Sequence, residues 1–214
     1  MATSAIWIKA KMSKYVVKTM WGMMLLALIV SAVAPYERST WWMEVAPIFI
    51  ITPLLWWTRK SFRLTSLLLG LIALHSLVLI IGGTYTYARV PFGFYLQDAF
   101  HLSRNPYDKI GHFMQGFVPA LAARELLIRH RWVLNTRVAA FMGVCVAMTV
   151  SAVYELIEWW AALLLGQGAD AFLGTQGDVW DTQSDMFFAL IGSTLAMCLF
   201  SRWQDRQITR LRGV

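Results

Sequence analysis

The run of residues 64–83 contains one ionisable side chain, His75, and this absence of charge over twenty residues constrains the fold more than any other feature. An α-helix needs about 20 mostly apolar residues to cross a hydrocarbon core of about 30 Å. Only 14% of the 214 residues are charged, whereas about 25% is usual in soluble domains. The composition therefore excludes a cytosolic enzyme and a disordered chain. It also excludes a disulfide-rich secreted scaffold, because Cys145 and Cys198 both lie inside apolar runs.

Six segments of suitable length predict an all-α, polytopic (multi-pass) membrane helix bundle that forms a single integral membrane domain over residues 1–214. The predicted spans are residues 19–34, 41–57, 64–83, 108–128, 138–165 and 181–203. The first span has an alternative interpretation, because lysines precede it and three small residues end it, which is the pattern of a cleaved signal peptide. Pro35 directly after that position favours a retained helix instead.

The basic residues predict the orientation of the bundle, because connections rich in Lys and Arg stay in the cytoplasm. Fifteen of the 19 lie before the first span, after the last one, or in and beside the second and fourth connections. Both the N- and the C-terminus are therefore predicted to be cytoplasmic. Topology then explains the net charge of +7, and no nucleic-acid partner is expected.

Most acidic residues fall on the opposite side of the predicted bundle. Eight of the 12 lie in its second and third outer connections or at the adjoining span ends: Asp98, Asp108, Glu155, Glu158, Asp170, Asp178, Asp181 and Asp185. Since these span ends meet at one membrane face, acids that are distant in sequence are expected at one depth. The remaining acids of that side, Glu37 and Glu44, are interpreted as solvated charges of a short loop.

Glu155 and Glu158 are the strongest indication of a polar site. Their i,i+3 spacing places both on one helix face, near a C-terminal helix end where the helix dipole opposes negative charge. An acid at mid-membrane costs roughly 2.5–3.5 kcal/mol on an insertion scale. The pair therefore needs a shared proton, a basic partner or a metal ion. A purely structural network with Arg89, Arg104 or Lys109 is the alternative.

Two further pairs of ionisable residues are also spaced so that both members lie on one helix face. Asp108 and His112 are four residues apart at the start of the fourth span, and Asp181 and Asp185 have the same spacing at the start of the sixth. Helix capping would explain Asp108, and it would explain Asp178 or Asp181. An ionisable residue inside a span, such as His112, marks a functional site by default.

The connection 85–107 mixes aromatic with polar residues, which predicts a short interfacial helix in the second outer loop. Such a helix would cover the acidic site and contribute His101 or Arg104, whereas a plain membrane-surface position is the simpler interpretation of Asp98. His75 has no polar neighbour in its span and is predicted to be a satisfied packing histidine.

Segments 108–113, 154–159 and 177–186 resemble the YjdF-like family of uncharacterised bacterial inner-membrane proteins. The resemblance implies a bacterial inner-membrane location with the acidic site facing the periplasm, and it implies no established reaction. More distantly, an Asp-Lys-x-x-His-Phe segment, a Glu in the next span and an Asp-rich start of the last span are similar to VanZ-like proteins, which are linked to glycopeptide-antibiotic resistance. Glu158-Trp159 stands where that family would have Glu-x-x-Gln, so its activity is not carried over.

The acids and the imidazole predict a divalent-cation site for Mg²⁺, Mn²⁺ or Zn²⁺. The expected ligands are His112, Glu155, Glu158, Asp181 and Asp185, followed by Asp108 and Asp178 as weaker candidates. His112, Glu155 and Glu158 are also the catalytic candidates. The ion would activate water or polarise a phosphoryl oxygen, as in a hydrolase or transferase acting on an envelope lipid or isoprenoid phosphate. Arg104, Lys109 and, more weakly, His101 would bind that headgroup.

Two non-enzymatic functions stay open at the level of sequence. Membrane carboxylates and histidines also mark the pathways of ion-coupled carriers, although acids on one face only and the lack of an internal repeat disfavour this class. A scaffold whose polar cluster is only a buried charge network is the other alternative. The expected partners are membrane lipids and a lipid-linked phosphate, and the sequence leaves the oligomeric state open.

Overall fold

The computed structural model describes residues 14–165 and 176–212, and every regular element in these two ranges is an α-helix. The helices are α1 (Lys14–Ser31), α2 (Arg38–Thr58), α3 (Ser66–Tyr85), α4 (Pro91–Phe100), α5 (Tyr107–Arg129), α6 (Thr136–Leu165) and α7 (Asp181–Arg212). The predicted all-α class is confirmed, and each predicted span overlaps one helix. Lys9, Lys11 and Asp170, which entered the arguments on orientation and acidity, lie outside the described residues.

Among the described helices, three are long and apolar enough to cross a membrane: α3, α6 and α7. Helix α1 is apolar but shorter, α2 contains Pro47 and Pro53, and α5 carries many polar residues. The prediction of a membrane helix bundle is therefore confirmed as a class, while the number of six crossings stays a prediction. Helix α4 occupies the segment in which an interfacial helix was predicted.

Helix α5 is the centre of the bundle. It packs against α7, α6 and α3, and most of its side chains are buried by these neighbours. The main apolar core joins three helices through Leu68, Ile72, Met114, Phe117, Val118, Leu121 and Ala196. Because α5 is enclosed by other helices, its polar residues face protein rather than lipid.

A second apolar core joins α1 and α2 to α3. It is built from Met24, Leu28, Trp41, Val45, Ile48 and Ile80. Helix α3 thus connects two groups of helices, α1 with α2 on one side and α5 with α6 and α7 on the other.

Helices α5 and α7 approach each other closely at two glycines. A Cβ atom at Gly116 would lie 1.9 Å from the carbonyl oxygen of Ala189, and a Cβ at Gly192 would lie 2.0 Å from that of Phe113. Small residues permit this approach of backbones in membrane bundles. The close crossing sets the distance between the acidic first turns of the two helices.

The end of the bundle opposite the acidic residues contains its own buried polar network. Glu125 accepts hydrogen bonds from the backbone N–H of Thr65 at 2.9 Å and from its hydroxyl at 2.6 Å, and it pairs with Arg129 at 3.0 Å. Arg124 pairs with Asp205 at 2.7 Å. Each of these two carboxylates has an arginine partner. We therefore interpret the network as a structural one that fixes the start of α3 through Thr65.

Candidate functional site

A chain of ion pairs joins the segment before α5, and the first turn of α5, to the start of α7. Lys109 Nζ lies 2.8 Å from Asp181 Oδ1 and 2.6 Å from Asp185 Oδ1, and all three residues are buried. Arg104 also contacts Asp181, and it pairs with Asp178 at 3.0 Å. Three of the predicted metal ligands, Asp178, Asp181 and Asp185, are therefore held by cations. Lys109 and Arg104, which were predicted to bind a headgroup, bind these aspartates.

His112 lies one turn further along α5 and has acidic neighbours on both sides of its ring. Its Nε2 is 3.4 Å from Asp108 Oδ1 and 3.8 Å from Asp185 Oδ2. Its Nδ1 is 3.7 Å from Glu155 Oε1 and 3.1 Å from Gln115 Oε1. The structure thus brings together residues of α5, α6 and α7 that were each singled out in the sequence. We call this group, with Arg104, the cluster: Arg104, Asp108, Lys109, His112, Glu155, Asp181 and Asp185.

Asp108, His112 and Asp185 form the group best arranged to hold a metal ion. They are buried, and one ligand atom from each lies within 4.8 Å of the others. Neighbouring ligand atoms around Mg²⁺ or Zn²⁺ are about 3.0–3.4 Å apart, given metal–ligand distances of about 2.0–2.2 Å. The Oδ2 atom of Asp108 is also buried with no hydrogen-bond partner among the described residues, and Lys109 Nζ lies 3.9 Å from it. Asp108, a weaker candidate by sequence, is therefore more central than Asp181.

The two glutamates of α6, Glu155 and Glu158, lie in different surroundings. Both are buried, but Glu155 faces His112, whereas Glu158 lines a cavity beside it. The ion pairs of Lys109 go to aspartates, and Arg89 lies over the ring of Tyr36. The sequence raised Lys109, Arg104 and Arg89 as structural partners of the glutamate pair, and these contacts of Lys109 and Arg89 lie elsewhere.

The interpretation of Glu44 as a solvated loop charge is wrong. Glu44 lies within α2 and is only 3% exposed, and its Oε2 accepts a hydrogen bond from the Tyr154 hydroxyl at 3.3 Å. Burial, with the nearby Glu44 as a further cause, raises the pKa of Tyr87 well above its usual value, so the phenol stays a neutral donor. The sequence did indicate burial of Glu44, because the predicted span 41–57 contains it.

A cavity of about 560 Å³ opens next to the cluster, between α2, α3, α5 and α6. Its polar wall comes from Glu44, His75, Ser76, Tyr87, Asp108, His112, Gln115, Tyr154 and Glu158. The rest of the wall is mostly isoleucine, leucine, valine and proline. The cavity falls in the size range of ligand sites, about 300–1,000 Å³.

His75 and His101 differ from what the sequence suggested for them. His75 lines the cavity, and its buried Nε2 has no hydrogen-bond partner among the described residues, so it is not a satisfied packing residue. His101 ends α4 and is exposed, outside the cluster. Asp98 is exposed on α4, in agreement with a position at the membrane surface.

The family described as "Predicted membrane protein (DUF2238)" matches residues 16–206 of the chain. The inner membrane protein YjdF of Escherichia coli (strain K12) is 54% identical over 185 residues, which cover 86% of this chain and 88% of that protein. No solved structure matches the chain.

Proposed function

The chain belongs to the DUF2238 family of predicted membrane proteins, as its resemblance to YjdF-like proteins indicated, and from this premise we propose that it is an inner-membrane enzyme that acts on an envelope amphiphile with the help of a divalent cation. The cation would be held by Asp108, His112 and Asp185. One observation carries the proposal: this buried ligand group adjoins the polar wall of a largely apolar cavity, which Asp108 and His112 themselves line.

The charge balance of the cluster supports a bound cation. The buried carboxylates of the cluster and of the cavity wall beside it are Glu44, Asp108, Glu155, Glu158, Asp181 and Asp185, while Lys109 and Arg104 supply the fixed positive charges. Carboxylates buried away from water need protons, cationic partners or a metal ion. A divalent ion would remove much of the excess negative charge.

The neighbours of the ligand group would orient it. Glu155 and Gln115 lie on the Nδ1 side of His112, which leaves Nε2 for the ion. Lys109 holds Asp185 from the other side. Contacts of this kind set the tautomer and direction of metal ligands. We therefore treat Lys109 and Glu155 as positioning residues.

The same cavity wall favours a cation if the substrate is a lipid or isoprenoid phosphate. Of the described residues that line it, none is Lys or Arg. An anionic head would meet Glu44, Asp108 and Glu158, which repel it unless a divalent ion lies between them. The ion would then also polarise the phosphoryl oxygen, and Glu158, which lines the same cavity, would accept a proton from an attacking water.

The first prediction concerns the cation. Protein in lipid nanodiscs, stripped with a chelator and titrated with Mn²⁺ or Zn²⁺, is expected to bind one ion per chain and to melt at a higher temperature. Asp108→Asn removes a ligand and should weaken the affinity by at least about tenfold. Asp98→Asn changes an exposed aspartate and should leave it unaltered. Bound metal is measured by mass spectrometry, and turnover as phosphate released from a polyprenyl diphosphate.

The outcomes separate the enzyme from its main rival. A wild-type protein that neither binds nor is stabilised by these ions contradicts the proposal. The chain would then be a scaffold whose cluster is a buried charge network, a function favoured by the ion pairs of Lys109 with Asp181 and Asp185. Flux of protons or cations across liposomes, lost in Asp108→Asn, would instead indicate a carrier.

The proposal includes a periplasm-facing site, which the distribution of basic residues supports. A reporter fused at Arg131, between α5 and α6, is expected to be cytoplasmic, and one fused at Ser103, between α4 and α5, periplasmic. Alkaline phosphatase should be active only at Ser103 and green fluorescent protein bright only at Arg131. The reversed pattern would place the site on the cytoplasmic side.

A further inference from the structure

We propose that the cavity binds one hydrocarbon chain of a lipid from the surrounding bilayer, and that this chain enters sideways between α2 and α6. This inference extends the proposed function. Only the chemistry of the lipid headgroup depends on that function. The binding of the chain follows from the shape, lining and position of the cavity.

The cavity is a channel that extends furthest along α5. On α5 the lining residues run from Asp108 to Ala122, which corresponds to roughly 21 Å of helix, whereas on α2, α3 and α6 they cover roughly 10–12 Å. The longest extent is about two-thirds of a hydrocarbon core of about 30 Å. A volume of about 560 Å³ has room for one hydrocarbon chain.

The lining changes from polar to apolar along this channel. Glu44 and Asp108 lie near the beginnings of α2 and α5, and Glu158 lies near the end of α6, so they share one end. Further from the acids the wall is formed by Ile48 and Ile51 of α2, Ile72 of α3, Val118, Pro119 and Ala122 of α5, and Val150 of α6. An amphiphile with its head at the acids and its chain among these residues matches both ends of the cavity.

The opening lies on the side of the bundle. Helix α2 packs on α3, whereas α6 packs on α5 and α7, and a hydrogen bond between Glu44 and Tyr154 joins α2 to α6. Ile50 of α2 is 71% exposed and Val150 of α6 is 39% exposed, yet both line the cavity. Because these side chains face lipid in a membrane, the cavity is continuous with the bilayer.

The rim is also the part of the bundle best suited to move. Pro47 lines the cavity and Pro53 follows it in α2, and each removes one backbone hydrogen bond from that helix. The Glu44–Tyr154 hydrogen bond would have to open for a bulky head to pass. After the headgroup has passed, the apolar faces of α2 and α6 would pack against the hydrocarbon chain.

A photoreactive lipid tests the proposal directly. The protein is placed in nanodiscs of phosphatidylethanolamine and phosphatidylglycerol that contain a phospholipid with a diazirine in its palmitoyl chain. After illumination, labelled positions are identified by mass spectrometry. Ile72 and Val118 are 8% and 4% exposed, so lipid outside the bundle does not reach them. We expect both to be labelled, because they line the cavity.

A matched pair of variants locates the entrance. Val150→Trp should block the rim and reduce the labelling of Ile72 and Val118 at least fivefold. Val146→Trp places the same bulk one turn away on α6, at a residue that is 41% exposed and is not among the lining residues, and should change nothing. If Val150→Trp does not fold, Ile50→Trp blocks the same opening from α2.

Two results would overturn the proposal: labelling confined to exposed side chains, or labelling of Ile72 and Val118 that persists in both Val150→Trp and Ile50→Trp. The cation titration distinguishes this failure from failure of the proposed function. Val150→Trp should lose the lipid label and keep the cation, whereas Asp108→Asn should lose the cation and keep the label.

Discussion

Gly116→Val is expected to lower the free energy of unfolding by at least about 3 kcal/mol, because it inserts a branched side chain where two helix backbones meet. A Cβ at this position would lie 1.9 Å from the carbonyl oxygen of Ala189 and 2.7 Å from its Cα. The obstacle is backbone, so no rotamer change relieves it, and α5 and α7 must separate. Unfolding of the purified protein in mixed micelles of increasing sodium dodecyl sulfate content measures the loss.

The same separation should also reduce cation binding, since Asp108 and His112 belong to α5 and Asp185 to α7. Gly22→Ala is the control: a Cβ there would meet no atom within 4 Å, and alanine favours a helix over glycine by about 1 kcal/mol. It should be neutral or slightly stabilising. A Gly116→Val variant as stable as Gly22→Ala would mean that the α5–α7 crossing is not as close as described.

The positions of the helices could be predicted because the bilayer imposes one length on every crossing. The run 64–83 is limited by this length and by the charges beyond it, and it corresponds to α3 (Ser66–Tyr85). Helical periodicity likewise predicted that Asp108 lies beside His112, and their side chains are 3.4 Å apart. Contacts within one helix depend on 3.6-residue spacing alone, which the sequence displays directly.

Contacts between helices could not be predicted in the same way, because they depend on how each helix is rotated about its axis. The sequence places Lys109 beside Asp108, but nothing in it shows that Lys109 turns toward Asp181 and Asp185 of α7. Glu44 was misjudged for a related reason. It lies close to a charged loop in sequence, and only the rotation of α2 brings it to Tyr154 of α6.

Lys109→Met is expected to cost about 3–5 kcal/mol of unfolding free energy, the usual penalty for removing one partner of a buried ion pair. Methionine is similar in length and apolar, so packing changes little, but Asp181 and Asp185 lose a cation that lies 2.8 and 2.6 Å away. Lys60→Met, in an exposed connection, should change stability by less than about 0.5 kcal/mol. The same unfolding titration in mixed micelles measures both.

The charge explanation of this loss is tested by removing the second charge as well. In Lys109→Met/Asp185→Asn the carboxylate left without its cation is gone, so part of the stability should return, as a coupling energy between the two positions. In Lys109→Met alone, millimolar Mn²⁺ should restore stability, because the ion would take over the neutralisation of Asp185. A double variant less stable than Lys109→Met, together with no effect of Mn²⁺, would show that Lys109 acts by packing rather than by charge.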